Sequence, residues 1–220
     1  MISEKQHRPI RSYVLRQGKM TPGQRNALET LWPQYGLDVE AGMTQRHGAI
    51  LEIGFGNGES FLENARNNPN EQYIGVEVHQ PGVGRLLMRA HEAGVTNFHV
   101  YNDDAIDVLT QCIPEDSLKA VLIFFPDPWH KKKHNKRRLI QASFVELIAK
   151  KLQQGGVLHI ATDWEPYAEH IIEVMSSQTA LVNTADDDLF VPRPDTRPLT
   201  KYEQRGQRLG HGVWDIVMKK

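Results

Sequence analysis

This sequence has a single cysteine and no long apolar run. Because Cys112 is alone among 220 residues, an internal disulfide and a zinc site built on cysteines are both excluded. No apolar run approaches the roughly 20 residues of a membrane span, and residues 1–6 are too polar for a secretory signal. We therefore expect a protein of the reducing cytoplasm that has no membrane partner.

The sequence also lacks a recognisable metal-binding motif. Its ten histidines are scattered, and none falls in an H-E-x-x-H pattern. His130 and His134 are four residues apart, but they lie among lysines and arginines, which would repel a metal cation. We therefore expect no metal. The sequence leaves open whether the protein is a monomer or a homodimer.

Charge of one sign is not in excess overall, but it is unevenly distributed. The net charge is −1. Nevertheless, residues 1–25 carry six basic side chains against Glu4 alone, and residues 131–138 carry six with no acid. Two basic clusters on an otherwise neutral chain indicate a local site for a polyanion.

From residue 49 onward, apolar segments alternate between strand and helix patterns. Strands are predicted at 49–53, 72–78, 97–101, 120–125, 157–161, 181–183 and 214–218. Helices are predicted at 59–67, 81–94, 105–112, 136–152 and 166–176, with a short one near 24–31. This order predicts an α/β fold with a doubly wound, mostly parallel seven-stranded sheet of the Rossmann-like kind, which binds ligands at the carboxyl ends of its strands. We divide the chain into a basic arm with a short helix (1–45) and one α/β domain (46–220).

A glycine-rich turn follows the first predicted strand. Gly54, Gly56 and Gly58 let the backbone turn tightly and approach a ligand. Dinucleotide-binding folds favour G-x-G-x-x-G at this place, whereas here the spacing is G-x-G-x-G and an acid, Glu52, precedes it. A carboxylate would repel a pyrophosphate but suits S-adenosylmethionine, which carries a sulfonium, an ammonium and no phosphate. The turn therefore favours this methyl donor over a nicotinamide dinucleotide.

Acidic residues follow the next two predicted strands. Glu77 ends the second strand, about 20 residues after the glycine turn. A carboxylate at this place can accept hydrogen bonds from both hydroxyls of a ribose. Asp103 and Asp104 follow the third strand. One of these carboxylates can accept a hydrogen bond from the amino group of adenine, cap the next helix, or do both.

The fourth predicted strand leads into a stiff acidic loop. Asp127 stands between Pro126 and Pro128, so two φ angles are fixed. Phe125 and Asp127 precede prolines and are therefore kept out of the helical region. The carboxylate of Asp127 would be held rigidly at the ligand edge of the sheet, which suits an in-line group transfer.

A basic run comes next. After Lys131 it comprises Lys132, Lys133, Lys136, Arg137 and Arg138. The last three are expected in the first turn of the helix predicted at 136–152, where the helix dipole disfavours cations. A bound phosphate backbone would remove this conflict, so we expect the five residues after Lys131 to contact RNA.

Together these features resemble the bacterial tRNA (guanine-N(7)-)-methyltransferase family, whose members are class I S-adenosylmethionine-dependent methyltransferases. The resemblance runs from about Arg11 to the C-terminus, so 46–220 would be the methyltransferase domain. Residues 52–58 and Glu77 are shared by many methyltransferases, whereas residues 125–129 and the basic run are specific to this family. Asp163, residues 200–203 and residues 11–13 match as well.

The resemblance implies a tRNA substrate, methylated at N7 of the variable-loop guanosine, position 46. Beside the three glycines, it implies a cofactor site for S-adenosylmethionine lined by Glu52, Glu77, Asp104 and Asp127. It implies substrate contacts from Lys131, Asp163, Thr200, Lys201, Tyr202 and Glu203.

The chemistry of guanine agrees with these assignments. N7 carries a lone pair and no proton, so no strong base is needed, and the methylated purine is cationic. A fixed carboxylate can stabilise that charge as it develops, which makes Asp127 the candidate catalytic residue. Asp127, Asp163 and Glu203 can also accept from the Watson–Crick edge of guanine. Trp129 or Tyr202 can stack on the base or simply pack against the protein.

Three other functions stay open from the residues alone. A nicotinamide oxidoreductase is disfavoured by Glu52, and a non-catalytic RNA-binding protein is disfavoured by the complete set of Glu52, Glu77 and Asp127. An amino-group methyltransferase typically carries Asn/Asp-Pro-Pro-aromatic after the fourth strand, whereas here the acid lies between two prolines.

Overall fold

A computed structural model describes residues 11–13, 18–44, 46–186, 189–195, 197–199, 203 and 212–220. Within these ranges the α-helices are α1 (Pro22–Tyr35), α2 (Glu59–Asn67), α3 (Gln80–Ala93), α4 (Ala105–Gln111), α5 (Ala142–Lys151) and α6 (Glu165–Ser176). The strands are β1 (Gly36–Leu37), β2 (Ala49–Ile53), β3 (Tyr73–Val76), β4 (Phe98–Tyr101), β5 (Leu118–Phe124), β6 (Leu152–Thr162), β7 (Val182–Asn183) and β8 (Trp214–Lys219). Short 3-10 helices span Val39–Ala41 and Lys132–Arg137.

The strands form one sheet in the order β1-β4-β3-β2-β5-β6-β8-β7. Neighbouring strands are parallel from β1 to β6, and β8 is antiparallel to both β6 and β7. The chain proceeds from β2 outward through β3 and β4, and then returns to β5 on the other side of β2. The strand order therefore reverses between β2 and β5, and the carboxyl ends of these two strands border a crevice where ligands bind in folds of this kind.

Hydrophobic side chains are buried on both faces of the sheet. Along β3, Tyr73 belongs to a cluster that includes residues of α1, α2 and α3, whereas Ile74 belongs to a cluster that includes residues of α4, α5 and α6. The two neighbours differ because successive side chains of a strand point to opposite faces. Helices therefore cover both faces, and the predicted doubly wound α/β fold is confirmed.

The sheet has eight strands rather than the seven predicted. The additional strand is β1, which pairs with β4 and is only two residues long, too short for a strand period to appear in the sequence. Just before it, α1 is longer than predicted. At its start the side chain of Thr21 accepts the N–H of Gln24, and the side chain of Gln24 accepts the N–H of Thr21. Because α1 packs on α3, it shares the core of the α/β unit; the division of the chain at residue 45 stays a prediction.

The helix predicted at 136–152 is wrong at its start, and it ends one residue early, at Lys151. The α-helix begins only at Ala142, and the basic residues before it form the 3-10 helix Lys132–Arg137. Residues between the two helices are held by tertiary contacts, since the N–H of Ile140 donates to the hydroxyl of Tyr167 at 3.2 Å. At the other end, β6 starts at Leu152 and runs through Gly155 and Gly156, so it begins before the strand predicted at 157–161. The basic residues therefore do not oppose the dipole of this α-helix from its first turn.

No helix within the described ranges has the length and apolar character that crossing a lipid bilayer requires.

Candidate active site

A pocket of about 290 Å³ lies in the crevice between β2 and β5. It brings together four residues that the sequence predicts as cofactor contacts, Gly54, Glu77, Asp104 and Asp127. A cavity of about 630 Å³ adjoins it and shares Tyr13 and Asp104 with it. Residues that are far apart in the chain therefore meet at the carboxyl edge of the sheet, as the parallel strand order requires.

The glycine turn after β2 borders the pocket through Gly54, whereas Glu52, Gly56 and Gly58 are not among the residues that line it. Gly54 and Gly56 have φ angles of +77° and +58°, a region that other residues rarely adopt, and a Cβ at either would meet no atom within 4 Å. Gly58 is different, because a Cβ there would lie 2.8 Å from Leu86 on α3. The first two glycines leave room for a ligand, and Gly58 permits the close packing of α2 on α3.

Glu52 is a buried acid with unused hydrogen-bonding capacity. It lies on β2, two residues before Gly54, with 3% of its surface exposed, and its Oε2 has no hydrogen-bond partner among the described residues. Burial raises the pKa of its carboxyl to about 8. A buried carboxylate without a donor costs free energy, so a cationic ligand beside it would stabilise its ionised form.

Glu77 is already oriented by the backbone. Its Oε2 accepts the N–H of Gly56 at 2.8 Å, and its Oε1 accepts the N–H of His79 at 2.8 Å. Each carboxylate oxygen can accept a further hydrogen bond. The carboxylate is therefore fixed at the pocket wall with acceptor sites to spare, as ribose recognition requires.

Asp104 has the helix-capping role that the sequence allowed. Its Oδ1 accepts the N–H of Ile106 at 2.9 Å at the start of α4. Tyr13, from the segment before α1, lies at the same end of the pocket. Its pKa is raised, first by burial and then by the negative charge of Asp104. The sequence did not indicate that Tyr13 lines the pocket, because nothing in its neighbourhood has a helix or strand period.

The loop after β5 is held in an unusual backbone conformation. Phe125 and Trp129 have φ angles of +53° and +49°, and they bracket Pro126, Asp127 and Pro128. Aromatic residues rarely adopt positive φ, and each such residue costs on the order of 1–3 kcal/mol. The backbone N–H of Phe125 donates to the carbonyl of Ala161 on β6 at 2.8 Å. Asp127 is exposed at the pocket, so this strained loop presents its carboxylate outward.

Trp129 packs against the protein in this structure. Its Nε1 donates to the carbonyl of Ser12 at 3.0 Å. The guanidinium of Arg137 lies 5.1 Å from its ring centroid, and the ring of His134 is 5.8 Å away. Of the two roles that the sequence left open for Trp129, these contacts favour packing.

The basic segment, defined as residues 131–137, lies beside this loop. Lys131, Lys132, Lys133 and Lys136 are exposed. The pKa of His134 is lowered, first by desolvation and then by the positive charges of neighbouring lysines and Arg137. The segment therefore carries a concentrated positive charge at the surface.

Arg138 departs from the expected RNA-contacting role. It is buried, its Nε donates to the carbonyl of Pro128 at 3.0 Å, and its guanidinium lies 4.8 Å from the ring centroid of Tyr167. The carbonyl of Pro128 needs a donor in this irregular loop, and Arg138 supplies it. Arg138 therefore supports the loop from within and does not belong to the charged surface.

Asp163 follows β6 at the same edge of the sheet and is exposed. Trp164, next to it, is 37% exposed, and its ring meets that of His130 edge-on at a centroid distance of 4.3 Å. Sequence reasoning overlooked Trp164, although its position directly after a predicted substrate residue was a usable signal.

Among residues 200–203, which the sequence predicts to contact the substrate, the structure describes only Glu203. Thr200, Lys201 and Tyr202 lie outside the described residues. Glu203 is buried, and its two carboxylate oxygens accept the guanidinium of Arg197 at 2.6 and 2.8 Å. Arg197 is fully buried and was not singled out by its sequence context, a loop without period.

In the part of the chain that the structure describes, no three histidine, cysteine, aspartate or glutamate side chains are grouped so that they could hold a metal ion.

Comparisons with known proteins agree with this geometry. Residues 46–216 match a family described as putative methyltransferase. The chain is 54% identical to the tRNA (guanine-N(7)-)-methyltransferase of Shewanella amazonensis and 51% identical to that of Alcanivorax borkumensis; each match covers 97% of this chain and 92% of the relative.

Solved structures share the fold at low sequence identity. An rRNA methylase from Streptococcus thermophilus has a TM-score of 0.52 at 13% identity, covering 83% of this chain and 90% of that one. A SAM-dependent O-methyltransferase from Thermotoga maritima has a TM-score of 0.51 at 12% identity, covering 93% and 67%. The chain thus has the sheet of a methyltransferase fold, with a pocket where the strand order reverses, and it aligns with its relatives over nearly its whole length. The protein belongs to the tRNA (guanine-N(7)-)-methyltransferase family.

Proposed function

We propose that this protein transfers a methyl group from S-adenosylmethionine to N7 of a guanosine in tRNA, namely the variable-loop guanosine at position 46, in the cytoplasm. One observation carries the proposal. The strained loop that presents Asp127 lines the same pocket as Glu77 and the glycine turn, and it leads directly into the basic segment. A cofactor pocket, a rigid carboxylate and a polyanion surface are thus contiguous.

The residues at and behind the pocket wall fit the proposed cofactor. The unpaired buried Oε2 of Glu52 suits a ligand with positive charge, and the space at Gly54 and Gly56 would be filled by a side chain at either position. Glu77 would accept the ribose hydroxyls, and Asp104, while capping α4, would face the adenine end. When bound, S-adenosylmethionine supplies a methyl group on a positively charged sulfur.

The protein's own task at the reacting centre is to orient guanine and stabilise charge. The N7 lone pair needs no base, so Asp127 is not required to remove a proton. Its carboxylate, held in place by the flanking prolines and by the Phe125 N–H bond to Ala161, would stabilise the positive charge that develops on the purine. Lys131, Asp163 and residues 200–202 would contact the substrate.

The basic segment would bind the phosphate backbone close to the pocket. Lys132, Lys133, Lys136 and Arg137 lie on one short 3-10 helix, so several phosphates can be contacted together. The guanosine itself must be turned out of the tRNA, because N7 faces the deep major groove of A-form RNA, which side chains do not enter.

The decisive experiment is incubation of the purified protein with unmodified tRNA and S-adenosylmethionine labelled in its methyl group. We expect label in 7-methylguanosine after nucleoside analysis, and cleavage at the modified base to place it at position 46. The Asp127→Ala variant serves as the control, since it should bind tRNA without labelling it. Label in another nucleoside would overturn the N7 assignment, and label elsewhere in the tRNA would overturn position 46.

A further inference from the structure

Arg197 is the most heavily bonded buried cation of the described residues, and no part of the proposed chemistry uses it. None of its surface is exposed. Its Nη1 and Nη2 donate to Glu203 at 2.6 and 2.8 Å, and its Nε and Nη2 donate to Asp215 at 2.7 and 2.8 Å. One planar guanidinium therefore holds two carboxylates at once, each through two hydrogen bonds.

These bonds join the segment between β7 and β8 to the sheet. Asp215 lies on β8, and its Oδ1 also contacts Nε2 of His159 on β6 at 2.7 Å. Glu203 lies in the long segment between β7 and β8, only six residues after Arg197. The pairing of Arg197 with Asp215 connects this segment to the sheet, and the pairing with Glu203 joins two described residues within it.

Arg197 also contacts the loop that carries Asp127. Its guanidinium carbon lies 5.6 Å from the ring centroid of Phe125 and 6.0 Å from that of Phe124. Phe125 has the positive φ angle and immediately precedes Pro126 and Asp127. A cation over an aromatic face is attractive, more so when water is excluded. Arg197 therefore packs on the residue whose strained backbone sets the direction of the Asp127 loop.

We propose that Arg197 is a positioning residue that fixes the Asp127 loop relative to Glu203 and β8. This inference rests on the proposed function, because it assigns Asp127 to the reacting centre. Arg197 acts through Glu203, Asp215 and Phe125 and does not itself touch the substrate or the cofactor. Its loss should slow methyl transfer more than it weakens cofactor binding, since Arg197 contacts Phe124 and Phe125 at the pocket but not Glu52, Glu77 or the glycine turn.

Two variants test the proposal from different sides. Arg197→Lys keeps the charge but removes the fork that reaches both carboxylates, and Asp215→Asn weakens the tie to β8 while leaving Arg197 and Glu203 paired. If Arg197→Lys fails to fold, the measurements on Asp215→Asn alone decide whether the proposal holds. For both variants we expect kcat on saturating tRNA to fall at least tenfold, with a smaller change in the Kd for S-adenosylmethionine. Amide hydrogen exchange should rise in peptides covering residues 121–130.

The matched control is a buried cation remote from the pocket. Lys151 is 5% exposed, and its Nζ donates to the carbonyl of Ile113 at 2.7 Å, at the opposite edge of the sheet. Lys151→Met should lower the thermal midpoint as the test variants do, yet keep kcat within twofold of the parent and leave exchange in residues 121–130 unchanged.

Two outcomes would overturn the proposal. One is a parental kcat in both variants; the other is a kcat that falls with the thermal midpoint equally in the test variants and in Lys151→Met. If instead the parent protein makes no 7-methylguanosine, the proposed function fails. The hydrogen-exchange measurement then still decides whether Arg197 fixes the Asp127 loop.

Discussion

The carboxylate of Glu77 accepts the backbone N–H of Gly56 at 2.8 Å. The end of β3 is thereby tied to the glycine turn after β2, and the two features of the pocket wall, an acid and a tight turn, are held as one unit. Because His79 donates to the other carboxylate oxygen, the acid cannot rotate without breaking a hydrogen bond. Its orientation is set before any ligand enters.

Replacing Glu77 should therefore weaken cofactor binding. We expect Glu77→Ala to cost about 1.5–3 kcal/mol in affinity for S-adenosylmethionine, the range for hydrogen bonds to a charged acceptor, measured by calorimetric titration. Glu77→Gln should also bind weakly, because its amide group would face one of the two backbone N–H donors. Glu59→Ala, a partly exposed acid on α2 paired with surface arginines, is the control. Unchanged affinity in Glu77→Ala would refute the ribose assignment.

Glu52 should link cofactor binding to pH. Its pKa of about 8 in the free protein should fall when a cationic ligand stabilises the carboxylate, so binding should release a proton. Affinity should consequently rise as pH increases toward about 8 and then level off. Calorimetry in two buffers of different ionisation enthalpy measures this proton, and Glu52→Gln should remove the proton release together with most of the affinity. Equal proton release in the parent and the variant would assign the linkage to another group.

The same residue should destabilise the free protein. Its folded-state pKa is raised from 4.5 to about 8, so the unfolded state loses the proton first and stability falls as pH rises between these values. At pH 7 the effect is roughly 3 kcal/mol, and we expect Glu52→Gln to raise the thermal midpoint by a corresponding amount. Glu63→Gln, an exposed acid on α2, should leave it unchanged; an equal midpoint for both variants would mean that burial of Glu52 carries no such cost.

Asp127 should matter for the chemical step rather than for binding. We expect Asp127→Ala to slow the single turnover by raising its activation barrier by about 3–4 kcal/mol, by analogy with a lost oxyanion-hole donor. The affinity for tRNA should stay within about twofold of the parent. Asp127→Asn separates two roles. If charge stabilisation dominates, Asn will behave like Ala; if the oxygen only orients guanine, Asn will retain much of the rate. Near-parental rates in both variants would mean that Asp127 does not stabilise the developing charge, and Asp163 would then be the next candidate.

The basic segment and Arg138 should respond differently to substitution. Replacing Lys132, Lys133 and Lys136 by glutamine should weaken tRNA binding and reduce the slope of log K against log salt by about 0.7–0.9 for each phosphate that is no longer bound. Arg138→Gln, buried beneath the Asp127 loop, should lower the thermal midpoint and leave the slope unchanged. Filter binding across a salt series measures the slopes, and equal slopes for the parent and the lysine variant would mean that no phosphates are bound there.

Local patterns in the sequence were enough to predict the strands and the helix that surround the pocket. β2, the glycine turn and α2 agree with the prediction to the residue, and Glu77, Asp104 and Asp127 meet at one pocket. These features could be predicted because parallel strands place their carboxyl ends at one edge, so knowing where each strand ends is sufficient to bring its flanking residue to the site. The strand β1 was missed because two residues carry no period.

The amino-acid sequence alone thus specifies the order of strands and helices, the residues at the strand ends and the family. The roles of side chains outside regular elements emerged only from the folded chain. Arg137 and Arg138 are adjacent and chemically alike, yet one lies over Trp129 and the other is buried on the carbonyl of Pro128. Arg197 was an ordinary loop residue in the sequence, although the fold buries it completely between carboxylates. Burial and pairing of long charged side chains depend on contacts between distant segments, whereas helix and strand patterns depend on neighbours in the chain.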